Sequence, residues 1–176
     1  MTLALDFCVV IPARLESHRL PEKALLDING KSLIQHVWER AIQSSARQVV
    51  IATDHELIVQ KAKSFGAEVV LTSSDHNSGS DRIAECANIL GWSESQIVVN
   101  LQGDEPLMPA ECIEQVANLL VSDPQADAAS LFWPIESETE LGDPNVVKVV
   151  VDQKDRALLF TRSPVPFPRD FSDFSE

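Results

Sequence analysis

Arg14, Arg19 and Lys23 crowd the stretch Pro12-Ala13-Arg14-Leu15-Glu16-Ser17-His18-Arg19-Leu20-Pro21-Glu22-Lys23, directly after the apolar run Phe7-Cys8-Val9-Val10-Ile11. Guanidinium groups grip phosphate oxygens as forks, and an ammonium does so as a point charge. The whole chain carries a formal net charge of -13. Cations gathered on one loop against that background suggest an anion site, with a polyphosphate as its occupant. The plainer alternative is a solvated loop bearing ordinary surface cations. No glycine precedes Gly30, which excludes a glycine-rich dinucleotide fingerprint or a Walker loop after the first strand. Phosphate must therefore be met by side chains as well as backbone amides, and Pro12 and Pro21 limit the freedom of the loop.

A second candidate is Asn100-Leu101-Gln102-Gly103-Asp104-Glu105-Pro106. Mg²⁺ takes one or two protein carboxylates and leaves its other positions to phosphate and water, so Asp104 alone suffices as a ligand beside a nucleotide. The alternative is a turn ahead of a helix. A third candidate is Ser73-Ser74-Asp75-His76-Asn77-Ser78-Gly79-Ser80-Asp81-Arg82, a polar segment that could enclose a base or ribose by close backbone approach at Gly79. His76 reads as structural in this capping context, as do His36 in mid-helix and His55 in a first helical turn; His18 could touch phosphate. Neither a Ser/His/Asp order nor His-rich ligand spacing is present, so no hydrolase triad and no zinc site are indicated.

These residues need a frame. Phe7–Ile11, Gln48–Thr53, Glu68–Thr72 and Gln96–Leu101 read as short buried strands. Between them the spacing predicts helices. One runs from Lys31 to about Ser44, after a turn at Asn29-Gly30. Asp54 caps a second, which bears Leu57, Ile58 and Ala62. A third opens at Ser80 or Asp81 with Ile83, Ala84, Ala87 and Leu90 as its buried face. A fourth starts at Pro109 and carries Cys112, Ile113, Val116, Ala117 and Leu120. Strands alternating with helices across short loops indicate an α/β fold, a mainly parallel sheet with helices on both faces. Ligands of such folds gather at the carboxyl ends of the strands, where all three candidates lie. Past Asp123-Pro124 the rhythm changes: residues 126–135, 145–152 and 156–161 look extended, with a hairpin around Gln153-Lys154-Asp155. Ser163–Glu176 looks irregular. We therefore expect a nucleotide-binding core over 1–122 and a β-rich extension over 123–176.

Composition narrows the classes. No Lys or Arg occurs between Ile83 and Val147 while twelve Asp and Glu do, which speaks against nucleic-acid binding. No apolar run nears the roughly 20 residues of a membrane span, and no basic segment ahead of an apolar core suggests export. Cys8, Cys86 and Cys112 have no paired spacing and read as reduced, buried thiols in a cytoplasmic protein.

Taken in order, the motifs Ile11-Pro-Ala-Arg14, Arg19-Leu-Pro-Glu-Lys23, Asp27-Ile-Asn-Gly-Lys31, Ala52-Thr-Asp54, Asp75-His76, Ser78-Gly-Ser-Asp-Arg82, Val99-Asn-Leu-Gln-Gly-Asp104-Glu-Pro106, Asn145-Val-Val-Lys-Val-Val150 and Phe160-Thr-Arg-Ser163 resemble the 3-deoxy-D-manno-octulosonate (Kdo) cytidylyltransferases. That family is also called CMP-Kdo synthetases. The resemblance implies a Rossmann-like, three-layer nucleotide-diphospho-sugar transferase fold. It implies a Mg²⁺-dependent reaction of lipopolysaccharide biosynthesis, CTP plus Kdo giving CMP-Kdo and pyrophosphate, in a cytoplasmic homodimer that binds neither nucleic acid nor membrane. Arg14, Lys23 and Asp104 match catalytic positions, with Asp104 on the metal. Ala13, Arg14, Arg19, Lys23, Ser78, Gly79 and Ser80 match nucleotide contacts, and Gln102 and Arg162 match the sugar side.

The chain departs from the family at Glu22, where Gly is usual, and at His18, where a small hydroxyl residue is common. Members of the family are longer, so a second metal-binding Asp and much of the sugar pocket are expected beyond Glu176. The rival readings are a sialic-acid type CMP-sugar synthetase and an inactive CTP-binding or dimerisation fragment. Arg19-Leu20-Pro21 favours the Kdo type over the former.

Overall fold

Phe7 to Ile11 is apolar at every position, as suits a strand inside a sheet covered on both faces. The computed structural model describes residues 5–16 and 20–167, so Ser17, His18, Arg19 and the segment 168–176 lie outside the described residues. β1 (Phe7–Ala13) pairs in parallel with β4 (Gln48–Thr53) on one side and β6 (Ile97–Asn100) on the other, and β5 (Glu68–Leu71) pairs in parallel with β4. The sheet order is β5-β4-β1-β6. Strand order thus reverses at β1, with β4 and β5 laid to one side and β6 to the other while all four strands run parallel, which opens a crevice at the carboxyl ends.

Side chains alternate along each strand. Phe7, Val9, Ile11 and Ile51 pack with Ile34, Val37 and Ala41 of α1 (Leu33–Ala41), Ile58 and Ala62 of α2 (Glu56–Ser64), and Ile113 and Ala117 of α4 (Ala110–Ser122). Val10, Val50, Ala52 and Val70 face the other way, onto Cys86 of α3 (Gly79–Ile89). Each large side chain removed from water in these layers contributes about 1.5–3 kcal/mol. The three-layer α/β architecture expected from the sequence is therefore present.

Several local expectations are corrected. α1 begins at Leu33 and not at Lys31, because Lys31 and Ser32 form β3 (Lys31–Ser32), paired antiparallel with β2 (Asp27–Ile28). The turn between them holds Asn29 at φ 53° and Gly30 at φ 83°, the Asn-Gly hairpin geometry. α2 is capped by His55, whose Nδ1 accepts from the Leu57 amide at 3.2 Å; Asp54 is engaged elsewhere. α3 starts at Gly79 with Ser78 as its cap. Its fully buried residues are Arg82 and Cys86, with Ile83 and Leu90 only partly covered and Ala84 exposed. Cys8 and Cys86 are buried thiols, whereas Cys112 is half-exposed; all three are free.

The chain divides into two units, Met1–Ser130 and Leu131–Glu176. The second holds α5 (Glu138–Gly142), which the sequence reading missed, and the hairpin β7 (Lys148–Val151) with β8 (Ala157–Thr161). Asp152 closes its turn by accepting from the amides of Lys154 and Arg156 at 2.7 and 2.9 Å. Residues 126–135 form no strand: Pro134 cannot donate to a ladder, and Phe132 and Trp133 are exposed. β7 starts at Lys148 because the preceding residues wrap its ammonium. That group is buried and donates to the carbonyls of Asp143, Val146 and Arg162 at 2.6, 3.0 and 3.0 Å. No helix among the described residues is long and apolar enough to cross a membrane.

Candidate active site

Two adjoining hollows cover the carboxyl end of β1. The larger, about 620 Å³, is lined by Arg14, Leu20, Lys23, Gln102, Gly103 and Asp104, and the smaller, about 170 Å³, by Arg14, His76, Ser78, Gly79, Arg82 and Gln102. Pro12, Ala13, Arg14 and Gln102 line both. The three segments that the sequence singled out therefore meet at one place.

Lys23 reaches the larger hollow from a short 3₁₀ turn, Lys23–Leu25, anchored by Ala24 in the core. The chain enters that turn through Glu22, at φ 54° and ψ 26°, whose amide donates to the Leu15 carbonyl at 3.2 Å and closes the loop. This is left-handed backbone, which glycine adopts without cost and other residues do not. It explains physically why a glycine suits this position. Glu22 itself is exposed.

Asp104 approaches from the loop after β6. Its neighbour Gly103 is pressed against β1: a Cβ there would sit 2.8 Å from the Pro12 carbonyl oxygen. Only glycine permits this approach, and it carries Asp104 to Lys23, whose Nζ donates to Asp104 Oδ2 at 2.6 Å. Both side chains keep solvent contact, at 39% and 49% exposure. Arg40 Nε supports the loop from α1 by donating to the Pro106 carbonyl at 3.3 Å. Gln102 is exposed beside Asp104 and donates to Asn100 Oδ1 at 3.1 Å.

The smaller hollow faces the first turn of α3, where backbone N–H groups lack helical partners. Ser78 caps that turn: its Oγ accepts from the Asp81 amide at 3.2 Å and donates to Asp81 Oδ2 at 2.7 Å. Gly79 lies against Pro12, at an ordinary 3.6 Å from a Cβ built on it, so the close approach that requires glycine is at Gly103. Ser80 is exposed in the same turn and is not among the lining residues. Arg19 lies outside the described residues. Arg162 belongs to the second unit, where its Nη1 donates to the Pro144 carbonyl at 2.6 Å.

Part of the wall of the small hollow is a polar frame that sequence reasoning did not identify. Arg82 donates through Nη2 to Asp54 Oδ2 and through Nη1 to Thr72 Oγ1, each at 2.6 Å. It thereby ties the ends of β4 and β5 to α3. His76 pairs with Glu85, which also accepts from the Ser73 amide at 2.8 Å. The hydrogen bond from His76, helped by that amide, holds the Glu85 carboxyl below the ordinary carboxylate value. His76 is thus a structural tether for the segment 73–78, as its capping context suggested. Burial pushes the Cys86 thiol up to about 11, which keeps it protonated and inert at neutral pH.

A divalent cation finds only a partial site here. Among the described residues no three His, Cys, Asp or Glu side chains converge. Asp104 offers one carboxylate beside a cationic pocket. That donor set fits Mg²⁺ brought in on phosphate, and it does not fit a cation held by protein alone.

Comparison with known proteins shows the family. The cytidylyltransferase family model matches residues 8–175. The 3-deoxy-manno-octulosonate cytidylyltransferase of Thioalkalivibrio sulfidiphilus is 54% identical over 166 residues, covering 94% of this chain and 66% of that protein. Its counterpart in Cellvibrio japonicus is 52% identical, covering 94% and 65%. A solved CMP:2-keto-3-deoxy-manno-octonic acid synthetase complexed with CTP superimposes with TM-score 0.82 at 40% identity, over 93% of this chain and 67% of that one. The chain spans 65% and 66% of the length of the two curated relatives named. With a family match across nearly its whole length, this chain belongs to the cytidylyltransferase family.

Proposed function

We propose that the protein is a Kdo cytidylyltransferase: CTP and Kdo give CMP-Kdo and pyrophosphate, with Mg²⁺ required. The observation that carries this reading is the meeting of Lys23 and Asp104 at 2.6 Å in the larger hollow, which shares Arg14 with the smaller hollow at the first turn of α3. One polyphosphate cation and one metal-type carboxylate stand at one end, and a small polar pocket for a base at the other. The solved relative with CTP, at 40% identity, supports the choice of nucleotide, and the names of the curated relatives support the choice of sugar acid.

In this reading Arg14 and Lys23 hold the triphosphate, joined by Arg19. Ala13, Ser78, Gly79 and Ser80 enclose the cytidine, while Gln102 faces the sugar acid; Arg162 is assigned to the sugar side by the resemblance alone. The anomeric hydroxyl oxygen bonds to the α-phosphorus, the bond from that phosphorus to the bridging oxygen breaks, pyrophosphate leaves, and the hydroxyl proton passes to solvent. Mg²⁺, when bound, supplies charge neutralisation and alignment of the phosphates, with Asp104 as its protein ligand. The protein's share is positioning and fixed positive charge, which is most of what such displacements need. The product would enter lipopolysaccharide synthesis in the cytoplasm, and the working form would be a homodimer; these assignments follow from the resemblance.

The test is pyrophosphate release from the chain with Mg²⁺, each of the four nucleoside triphosphates, and either Kdo or sialic acid. Release with CTP and Kdo alone is the expected outcome. Release with sialic acid would move the assignment to the other CMP-sugar type, and CTP binding without release would reduce this chain to a nucleotide-binding unit.

A further inference from the structure

The Lys23–Asp104 ion pair places the residue proposed for phosphate on the residue proposed for metal, with nothing between them. Each partner therefore occupies the other's ligand position. A nucleotide that takes Lys23 must strip it from Asp104 and leaves that carboxylate facing phosphate oxygens of the same sign. A metal ion that takes Asp104 must displace an ammonium. Only a ligand that brings both charges leaves neither partner uncompensated: its phosphates replace Asp104 on Lys23 while its cation replaces Lys23 on Asp104.

Two further features make this exchange feasible. The pair is half-open to water, at 39% and 49% exposure, and exposed pairs are worth little and are readily broken. The backbone beneath is firm, because Gly103 is held against the Pro12 carbonyl and Ala24 is buried in the core. The pair can thus open by side-chain rotation while the loops keep their places.

From this we infer that Asp104 is a specificity-determining residue for the charge state of the nucleotide: paired with Lys23, it admits the magnesium–nucleoside triphosphate complex and rejects the metal-free nucleotide. Discrimination comes from an unpaired like charge set against the wrong form, a common way of building selectivity. The inference rests on the nucleotidyltransferase reading above, and it adds a property of the binding step that is separate from turnover.

Binding titrations of the 176-residue chain test it, with CTP and with inorganic tripolyphosphate, each in Mg²⁺ and in a metal chelator. The wild type should bind both ligands more tightly with Mg²⁺ than without. Asp104→Asn, isosteric and uncharged, should bind the metal-free ligands about tenfold more tightly than the wild type does, a change of about 1.4 kcal/mol. It should also lose most of the Mg²⁺ dependence. Glu105→Gln removes the same charge from the same loop without touching the pair, and its metal-free affinity should change by less than about twofold, as expected of a screened surface charge. Matching thermal melts would confirm that both variants fold.

Equal or weaker metal-free binding by Asp104→Asn overturns the inference and leaves the proposed function standing. An equal gain in Glu105→Gln overturns it too, since bulk charge would then explain the effect. A gain for tripolyphosphate in a protein that ignores CTP supports the inference and overturns the choice of nucleotide.

Discussion

Two ion pairs of the same length flank the carboxyl end of β1, Lys23–Asp104 and Arg82–Asp54, each at 2.6 Å. Their surroundings differ. Arg82 and Asp54 keep only 5% and 17% exposure, against 39% and 49% for Lys23 and Asp104. The guanidinium of Arg82 has further partners in Thr72 Oγ1 and, at 3.4 Å, the Ser73 carbonyl, whereas Lys23 and Asp104 hold chiefly each other. Length alone thus says nothing about what a pair is for. A pair taken from water and joined to further hydrogen bonds is framework. A pair left wet at the mouth of a hollow is one that a ligand can replace.

The comparison breaks if the two pairs respond alike to truncation. Arg82→Ala leaves a mostly buried carboxylate without its partner and should cost about 3–5 kcal/mol of stability, read by urea unfolding. Lys23→Ala should shift the same curve by no more than about 1 kcal/mol. In compensation for its small structural effect, Lys23→Ala should slow pyrophosphate release by about a hundredfold or more. Similar unfolding midpoints for the two variants would remove the distinction between frame and site.

Gly103→Ala sharpens the comparison by moving the wet pair apart without altering either member. The new Cβ would lie 2.8 Å from a backbone oxygen, so the loop has to back away from β1. A loss of about 1–3 kcal/mol is expected for such overpacking, together with weaker Mg-CTP binding, because Asp104 retreats from Lys23. Unchanged stability and affinity would show that the loop is not seated by this contact. Glu22→Gly acts on the other arm of the same pair. At φ 54° a non-glycine residue carries a penalty of about 1–2 kcal/mol, partly offset by the greater freedom of glycine when unfolded, so a net gain of about 0.5–1 kcal/mol should appear in the unfolding midpoint.

What the sequence disclosed and what it withheld divide along the same line. Phe7–Ile11 and Gln48–Thr53 were legible because a strand buried on both faces must be apolar throughout, and the loops after β1 and β6 were legible because their charges stand out beside such runs. Partnerships across the sheet were not. Asp54 looked like a helix cap, since a carboxylate ahead of an apolar-periodic segment usually is one; nothing local announces that Arg82 claims it from α3. On α3 the buried positions include Arg82 while Ala84 is exposed, against the apolar-periodicity reading. The close backbone approach was expected at Gly79 and lies at Gly103, although a glycine between a strand and a lone Asp is the signal that would have exposed it. Trp133 and Phe132 suggested a strand that lacks a neighbour to pair with among the described residues.

A third pair, His76–Glu85, lies between the two extremes, at 20% and 32% exposure, and it should give the smallest effect. The Glu85 carboxyl is held below its ordinary value of 4.5, chiefly by the His76 hydrogen bond. For a carboxylate depressed in the folded state, the unfolded chain binds the proton first as pH falls. The stabilisation is therefore complete above the ordinary value, and it is lost as pH drops through the lower folded value. Glu85→Gln cannot titrate, so its unfolding midpoint should fall less steeply than that of the wild type as pH drops below the ordinary 4.5. His76 lines the small hollow and Glu85 also holds the Ser73 amide, so the acid change should reach the segment 73–78 before it reaches the core. Amide exchange at Ser73 should consequently quicken in the wild type at the acid end while that of Val10 and Val50 stays slow. If Ser73 and the core strands quicken together, the tether is part of the global frame and the wet–dry contrast has only two members.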